Sequence, residues 1–191
     1  MNQSTSDLPS GKLYVKPDAA ARRVRMRAFQ TQLVERMQAA RTGVDARINQ
    51  LGVMIGQRRW LLSLQEAGEI VSVGTITKVP LTHGWFLGLS NIRGNLISVI
   101  DFAQFQGQGA STIDKDSRIV AFAPALSFNC GLLVTRVLGL RNVADMEPQH
   151  HSEFGSAQWS SQHYVDRDAQ VWTELNLPLV VQDPLFLHVG L

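Results

Sequence analysis

The sequence lacks most of what marks an enzyme, a secreted protein or a membrane span. It has one cysteine, Cys130, in 191 residues. No disulfide can therefore form within the chain, which points to a reducing compartment. The longest uncharged stretch, 119–135, contains Pro124, Ser127, Asn129 and Gly131 and would make a poor spanning helix. Met1 to Lys16 is polar and has no apolar core of a signal peptide. No Gly-x-Ser-x-Gly, Walker loop or dinucleotide fingerprint occurs. His150 and His151 are adjacent, so their side chains diverge in a strand. His83, His163 and His188 are scattered, and no Cys or carboxylate pair stands at metal-ligand spacing. Cys130, in an apolar segment, reads as a small buried hydrophobe. The expectation is a soluble cytoplasmic protein with no catalytic activity, no cofactor, no metal and no membrane insertion.

What is present is uneven. Residues 1–60 hold 11 Lys and Arg against 4 Asp and Glu, a balance of +7, while residues 61–191 hold 7 against 12, a balance of −5. The sequence pI of about 9.0 therefore belongs to the first third, with Arg22, Arg23, Arg25 and Arg27 as its densest cluster. A nucleic-acid-binding body is itself basic on one face, and this body is mildly acidic.

Residues 1–16 read as a polar tail. Residues 17–43 read as an amphipathic helix that starts at Pro17-Asp18, carries Met26, Phe29, Leu33, Met37 and Ala40 on one stripe, and stops at Gly43. After residue 50 the texture becomes strand-like. Arg58 to Leu64 alternates, with Trp60, Leu62 and Leu64 on one face. Glu69 to Ile76 is rich in Val and Ile. Leu96 to Ile100, Ile119 to Ala123 and Leu132 to Val137 are apolar on both faces, and Val171 to Leu175 reads as a last strand. Leu177 to Leu187 follows as a short helix or irregular cap broken at Pro184. Short strands punctuated by Gly, Pro, Asn or Asp point to an all-β barrel or sandwich, and 191 residues suffice to bury roughly 70% of the unfolded surface without covalent help.

The densest run of special residues lies between Val79 and Phe102. Arg93 is the one charged residue between Lys78 and Asp101, and a guanidinium in such surroundings needs an acid or backbone carbonyls. Gly94-Asn95 reads as a turn pair feeding the Leu96–Ile100 strand. The Asn91 amide can satisfy loop backbone groups, and Gly84 and Gly88 allow close backbone approach beside Trp85 and Phe86.

The ordered set Gly88-x-x-Asn91-x-Arg93-Gly94-x-Leu96-x-x-Val99-x-Asp101 closely resembles the signature of the CheW-like chemotaxis adaptors. The resemblance covers roughly residues 54–183, with Glu69 and the Gly131-Leu-Leu-Val134 strand included. The wording Arg-Trp-Leu, Glu-Ala-Gly-Glu, Val-Pro-Leu-Thr and Asn-Ile-Arg-Gly-Asn-Leu looks most like the PilI branch, which serves chemosensory control of type IV pili and twitching. Two departures stand out: Ser98 occupies a position where the family often has Pro, and Thr135-Arg136 replaces a common acidic residue.

The resemblance implies two packed, small, five-stranded SH3-like β-barrels over residues 50–191, with a helical N-terminal extension and no catalysis. It implies an adaptor that bridges the regulatory domain of a CheA-type histidine kinase and the cytoplasmic tip of a methyl-accepting chemoreceptor, whose hairpin lies in a groove between barrels. The implied partner-binding residues are Glu69, Gly88, Asn91, Arg93, Gly94 and Asp101. Of these, Asn91, Arg93 and Gly94 shape the rim, Asp101 fixes the strand behind it, and Glu69 ion-pairs with Arg93. The competing class is a small β-barrel nucleic-acid-binding protein with a basic N-terminal arm. A subunit that merely oligomerises is the third reading.

Overall fold

Among the described residues, eleven strands carry the architecture: β1 (Asn49–Ile55), β2 (Arg58–Ser63), β3 (Ala67–Ser72), β4 (Phe86–Ile92), β5 (Asn95–Ile100), β6 (Arg118–Phe122), β7 (Cys130–Val134), β8 (Arg136–Asn142), β9 (Glu147–Gln149), β10 (Ser160–Val165) and β11 (Val171–Leu175). The computed structural model describes residues 48–149 and 158–191. The tail expected over 1–16 and the helix expected over 17–43 lie outside the described residues. The chain divides into Met1–Ala39 and Ala40–Leu191, and everything described belongs to the second unit.

The strands form two mixed sheets, ordered β8-β1-β2-β11-β10-β9 and β3-β6-β7-β5-β4. The second sheet is thus an insertion between β2 and β8 of the first. Each sheet curls on itself. In the first, β8 and β9 stand at opposite ends of the order, yet only the short 3-10 turn Val143–Asp145 separates them in the chain. Counted as one strand broken by that turn, they make the expected five. In the second, the chain beyond β3 reaches the far edge: Thr77 N donates to Leu89 O at 2.8 Å and Leu89 N donates to Thr77 O at 2.9 Å. Closure of this kind removes the unpaired edges that make small sheets prone to association.

Why several strands are apolar on both faces now has a reason. In β6, Val120 and Phe122 pack into a core shared by the two sheets, whereas Ile119, beside Ala121, packs into the second sheet's own interior with Ile97 and Val99. A strand between two cores needs apolar residues on both sides. Gly131 faces the smaller interior, where a Cβ would come within 2.7 Å of Ile119 Cγ2. The shared core takes Val53, Ile55, Trp60 and Leu62 from one sheet and Ile100, Val120, Leu132 and Val134 from the other. Each such side chain contributes about 1.5–3 kcal/mol on burial. Phe102 stands edge-on to Trp60 and Trp159, with ring centroids 5.9 and 4.9 Å away.

Two short helices, Leu177–Val180 and Pro184–Leu187, close the core with Leu177, Val180 and Phe186. Pro184 opens the second helix as well as ending the expected cap, since a first-turn residue needs no N–H partner. Asn176 and Asp183 cap the two helices through their side-chain oxygens.

Cys130 is 1% exposed in the shared core, and burial pushes its thiol up to about 12. Because the thiolate is the reactive form, the native protein should not react with a disulfide reagent such as DTNB. One thiol per chain should appear only on unfolding, so titration along a denaturant curve checks this.

Glu66 ties the β2–β3 turn to the C-terminal cap. Its Oε2 accepts from Leu177 N at 3.1 Å, and its carbonyl accepts from Ala123 N at 2.7 Å. Burial raises its pKa above 4.5; the Leu177 N–H opposes this and nearby Glu174 adds to it. The folded carboxyl binds its proton more tightly than the unfolded one, so stability falls as pH rises from 4.5 through the folded pKa. Glu66→Gln should therefore melt higher than the parent at pH 7, and the difference should shrink as pH falls through that window. Melting curves from pH 4 to 7 check the sign.

Candidate partner-binding site

The β4–β5 hairpin presents the centre of the motif. Ile92 and Asn95 face each other across it, so the two turn residues are Arg93 and Gly94, one position earlier than the Gly94-Asn95 pair expected. Both have positive φ, +50° for Arg93 and +89° for Gly94, as a two-residue hairpin turn of primed type requires. Asn91 accounts for the shift: its Oδ1 accepts from Gly94 N at 2.8 Å, and this bond closes the loop around Arg93. A non-glycine residue held at positive φ is uncommon. Here it throws the guanidinium outward.

The ion pair expected of Glu69 and Arg93 is formed, with Nη1 to Oε1 at 3.0 Å and side chains 77% exposed for Arg93 and 45% for Glu69. It clasps β3 to the β4–β5 turn across a closed sheet. With that much solvent it contributes only about 0–1 kcal/mol to stability. A paired charge at an exposed turn presents a fixed pattern of donor and acceptor to whatever docks there.

Asp101 and Gly88 stand elsewhere, and neither is a surface. Asp101 is 1% exposed. Its carboxylate accepts from Ser111 N at 2.7 Å, Ser111 Oγ at 2.8 Å and Gln104 N at 3.3 Å, and caps the short helix Phe102–Phe105. Its own N–H donates to Trp85 O at 2.8 Å. It pins the segment after β5 and, at this burial, has no face left for a partner. Gly88 is also buried; at φ +130° an added Cβ would lie 2.1 Å from Thr77 O. It is the point at which the second sheet closes. The directly presented set is therefore Glu69, Asn91, Arg93 and Gly94.

Arg93 and Glu69 border a recess of about 790 Å³. Its walls include Gly68, Ile97, Phe122 and Phe128, and nearly all come from the second sheet; from the six-stranded side it has Leu64, just past β2. The 3-10 turn Pro124–Leu126 and Ser127, at φ +50°, shape the far wall. The sequence signal for that wall was the uncharged loop holding Phe128, which reads as core when taken alone. Exposed apolar residues flank the clasp, with Ile70 43% and Leu96 57% exposed.

Among the described residues no three His, Cys, Asp or Glu side chains converge as a metal site requires. Nor is any helix among them long and apolar enough to cross a membrane. His150 and His151 lie outside the described residues.

Two small curled sheets around a shared core, with an exposed ion-paired hairpin turn bordering a recess, define a two-sheet β protein that presents a built turn at its surface. The model of the CheW-like domain matches residues 50–184, and the chain belongs to that family. Protein PilI of Pseudomonas aeruginosa is 26% identical over 141 residues, covering 73% of this chain and 79% of that protein. Protein FrzA of Myxococcus xanthus is 28% identical over 96 residues, 49% of this chain and 59% of that one. Chemotaxis protein CheW of Helicobacter pylori is 31% identical over 91 residues, 45% and 55%. The crystal structure of the scaffolding protein TtCheW from Thermoanaerobacter tengcongensis superposes with a TM-score of 0.58 at 24% identity, over 68% of this chain and 84% of that one; it supports the fold alone.

Proposed function

We propose that this chain is a non-catalytic chemosensory adaptor that couples methyl-accepting receptors to a CheA-type histidine kinase in the control of type IV pili. The observation that carries the reading is the Glu69–Arg93 clasp. It is an exposed ion pair of little value to stability, held at a strained turn above a recess, and so better suited to recognition than to folding. The resemblance to PilI over 73% of the chain supports the pilus pathway over flagellar taxis. In this reading the protein works in the cytoplasm and reaches receptor arrays through its protein partners. The test is calorimetric titration against the regulatory domain of a CheA-type kinase from the same cell, with the receptor's cytoplasmic tip in parallel, at near-physiological salt. Saturable binding to both is expected. No heat from either at roughly tens of micromolar, well within the range of specific weak complexes, overturns the proposal. Loss of twitching with swimming intact in a deletion strain is expected of the pilus assignment, and the opposite pattern rejects it.

A further inference from the structure

A second recess, of about 560 Å³, lies on the six-stranded sheet, away from the Arg93 turn. Registered pairing builds its floor: Trp60 on β2 faces Thr173 on β11, Thr173 faces His163 on β10, and His163 faces Gln149 on β9. Arg58, two residues before Trp60, projects to the same face. Toward Leu62 and Leu175 this face is covered by the shared core. Toward Arg58 it runs on past that cover, and Trp60, Trp159 and Gln106 line the opening. The indoles of Trp60 and Trp159 have centroids 6.0 Å apart at 47°.

Two donors stand unpaired among the polar groups here. Trp60, 2% exposed, has a buried Nε1–H with no hydrogen-bond partner, and the buried amide nitrogen of Gln106 has none either. Both are donors, and buried donors in native proteins are seldom left unpaired. Arg58 adds a guanidinium, while among the described lining residues there is no Asp or Glu. His163 Nδ1 and Thr173 Oγ1 stand 3.0 Å apart, so each meets part of the other's need. A cavity of this volume with aromatic walls and a few convergent polar groups has the form of a small-molecule site.

We propose that this recess binds a small amphipathic anion, an aromatic or aliphatic body ending in a carboxylate or sulfonate, with the body against Trp60 and Trp159 and the anionic oxygens toward Arg58 and the two unpaired N–H donors. The assignment does not depend on the adaptor reading. It uses none of the residues of the Arg93 turn.

The full chain is titrated with 8-anilinonaphthalene-1-sulfonate and, separately, with its uncharged twin N-phenyl-1-naphthylamine, following energy transfer from tryptophan to the dye. Saturable binding of one sulfonate dye per chain is expected, with the uncharged dye weaker by roughly tenfold or more, the scale of losing a hydrogen bond to a charged group. Arg58→Gln, at an exposed position, should weaken the sulfonate dye several-fold without shifting the melting point. Trp60→Phe keeps a ring and removes the N–H, and should weaken it further. Leu185→Ser alters the exposed leucine at the C-terminal helix, 73% exposed, and should leave binding unchanged. Equal affinity for the two dyes overturns the proposal. So does unaltered sulfonate binding in Arg58→Gln, which remains decisive if Trp60→Phe fails to fold, or loss of binding in Leu185→Ser.

Discussion

Gly88→Ala should cost about 3 kcal/mol or more and leave the five-stranded sheet unable to close. Two penalties coincide at this position. The residue sits at φ +130°, where an L side chain is strained whatever space surrounds it, and its Cβ would lie 2.1 Å from Thr77 O, 2.8 Å from the carbonyl carbon and 3.0 Å from Lys78 Cα. Those neighbours are backbone and cannot swing aside. Relief would require breaking the paired bonds between Thr77 and Leu89, which are what join the continuation of β3 to β4. Strained backbone alone accounts for about 1–3 kcal/mol, and loss of the bridge adds to it. Gly94→Ala is the control: Gly94 also has positive φ, +89°, but a Cβ at that position would meet nothing within 4 Å, so roughly 1 kcal/mol is expected. Urea denaturation of the two variants should separate them clearly. Equal, small losses would mean that Thr77 and Leu89 do not close the sheet.

Much of this architecture was legible in the chain, for reasons that differ from strand to strand. The segments β2, β5, β6 and β11 stand out because their apolar residues are continuous or alternate, and each packs on at least one core. By contrast β8 and β9 are mostly exposed, and a strand at the end of a sheet order carries little hydrophobic periodicity. What organises them is pairing: β8 against β1, with a shift at Gly52/Val53, and β9 against β10. The Glu69–Arg93 pair was legible through resemblance to the family, which pointed to Glu69; the lone arginine in an apolar run left an acid or backbone carbonyls open. The turn falls one residue earlier than expected, although Gly94-Asn95 has the better intrinsic turn chemistry; the Asn91 side chain overrides it with a bond to Gly94 N. The recess beside Trp60 left no mark in the sequence. It arises where one sheet face outruns the other, which depends on register and on nothing local.

Arg93→Glu should abolish binding of the kinase regulatory domain or of the receptor tip while leaving the fold intact. The reversal puts two carboxylates where an ion pair stood at 3.0 Å. Exposure limits the effect on folding to about 1 kcal/mol, so the melting point should move by only a few degrees. Binding is different, because a docked partner excludes water from the turn, and like charges left inside an interface cost several kcal/mol. A fall in affinity of roughly a hundredfold or more is therefore expected, against roughly tenfold for Arg93→Ala. The double variant Arg93→Glu with Glu69→Arg discriminates between two ways the clasp could act. If the pair serves only to hold β3 against the hairpin, swapping the charges restores the clasp and affinity returns. If Arg93 itself meets an acid on the partner, the swapped pair presents the wrong sign outward and affinity stays low although the clasp is rebuilt. The outward throw of Arg93 from a positive-φ position and its greater exposure, 77% against 45% for Glu69, favour the second outcome. Full recovery in the double variant would assign the pair to shaping the loop, and unchanged affinity in Arg93→Glu would remove this turn from the binding surface altogether.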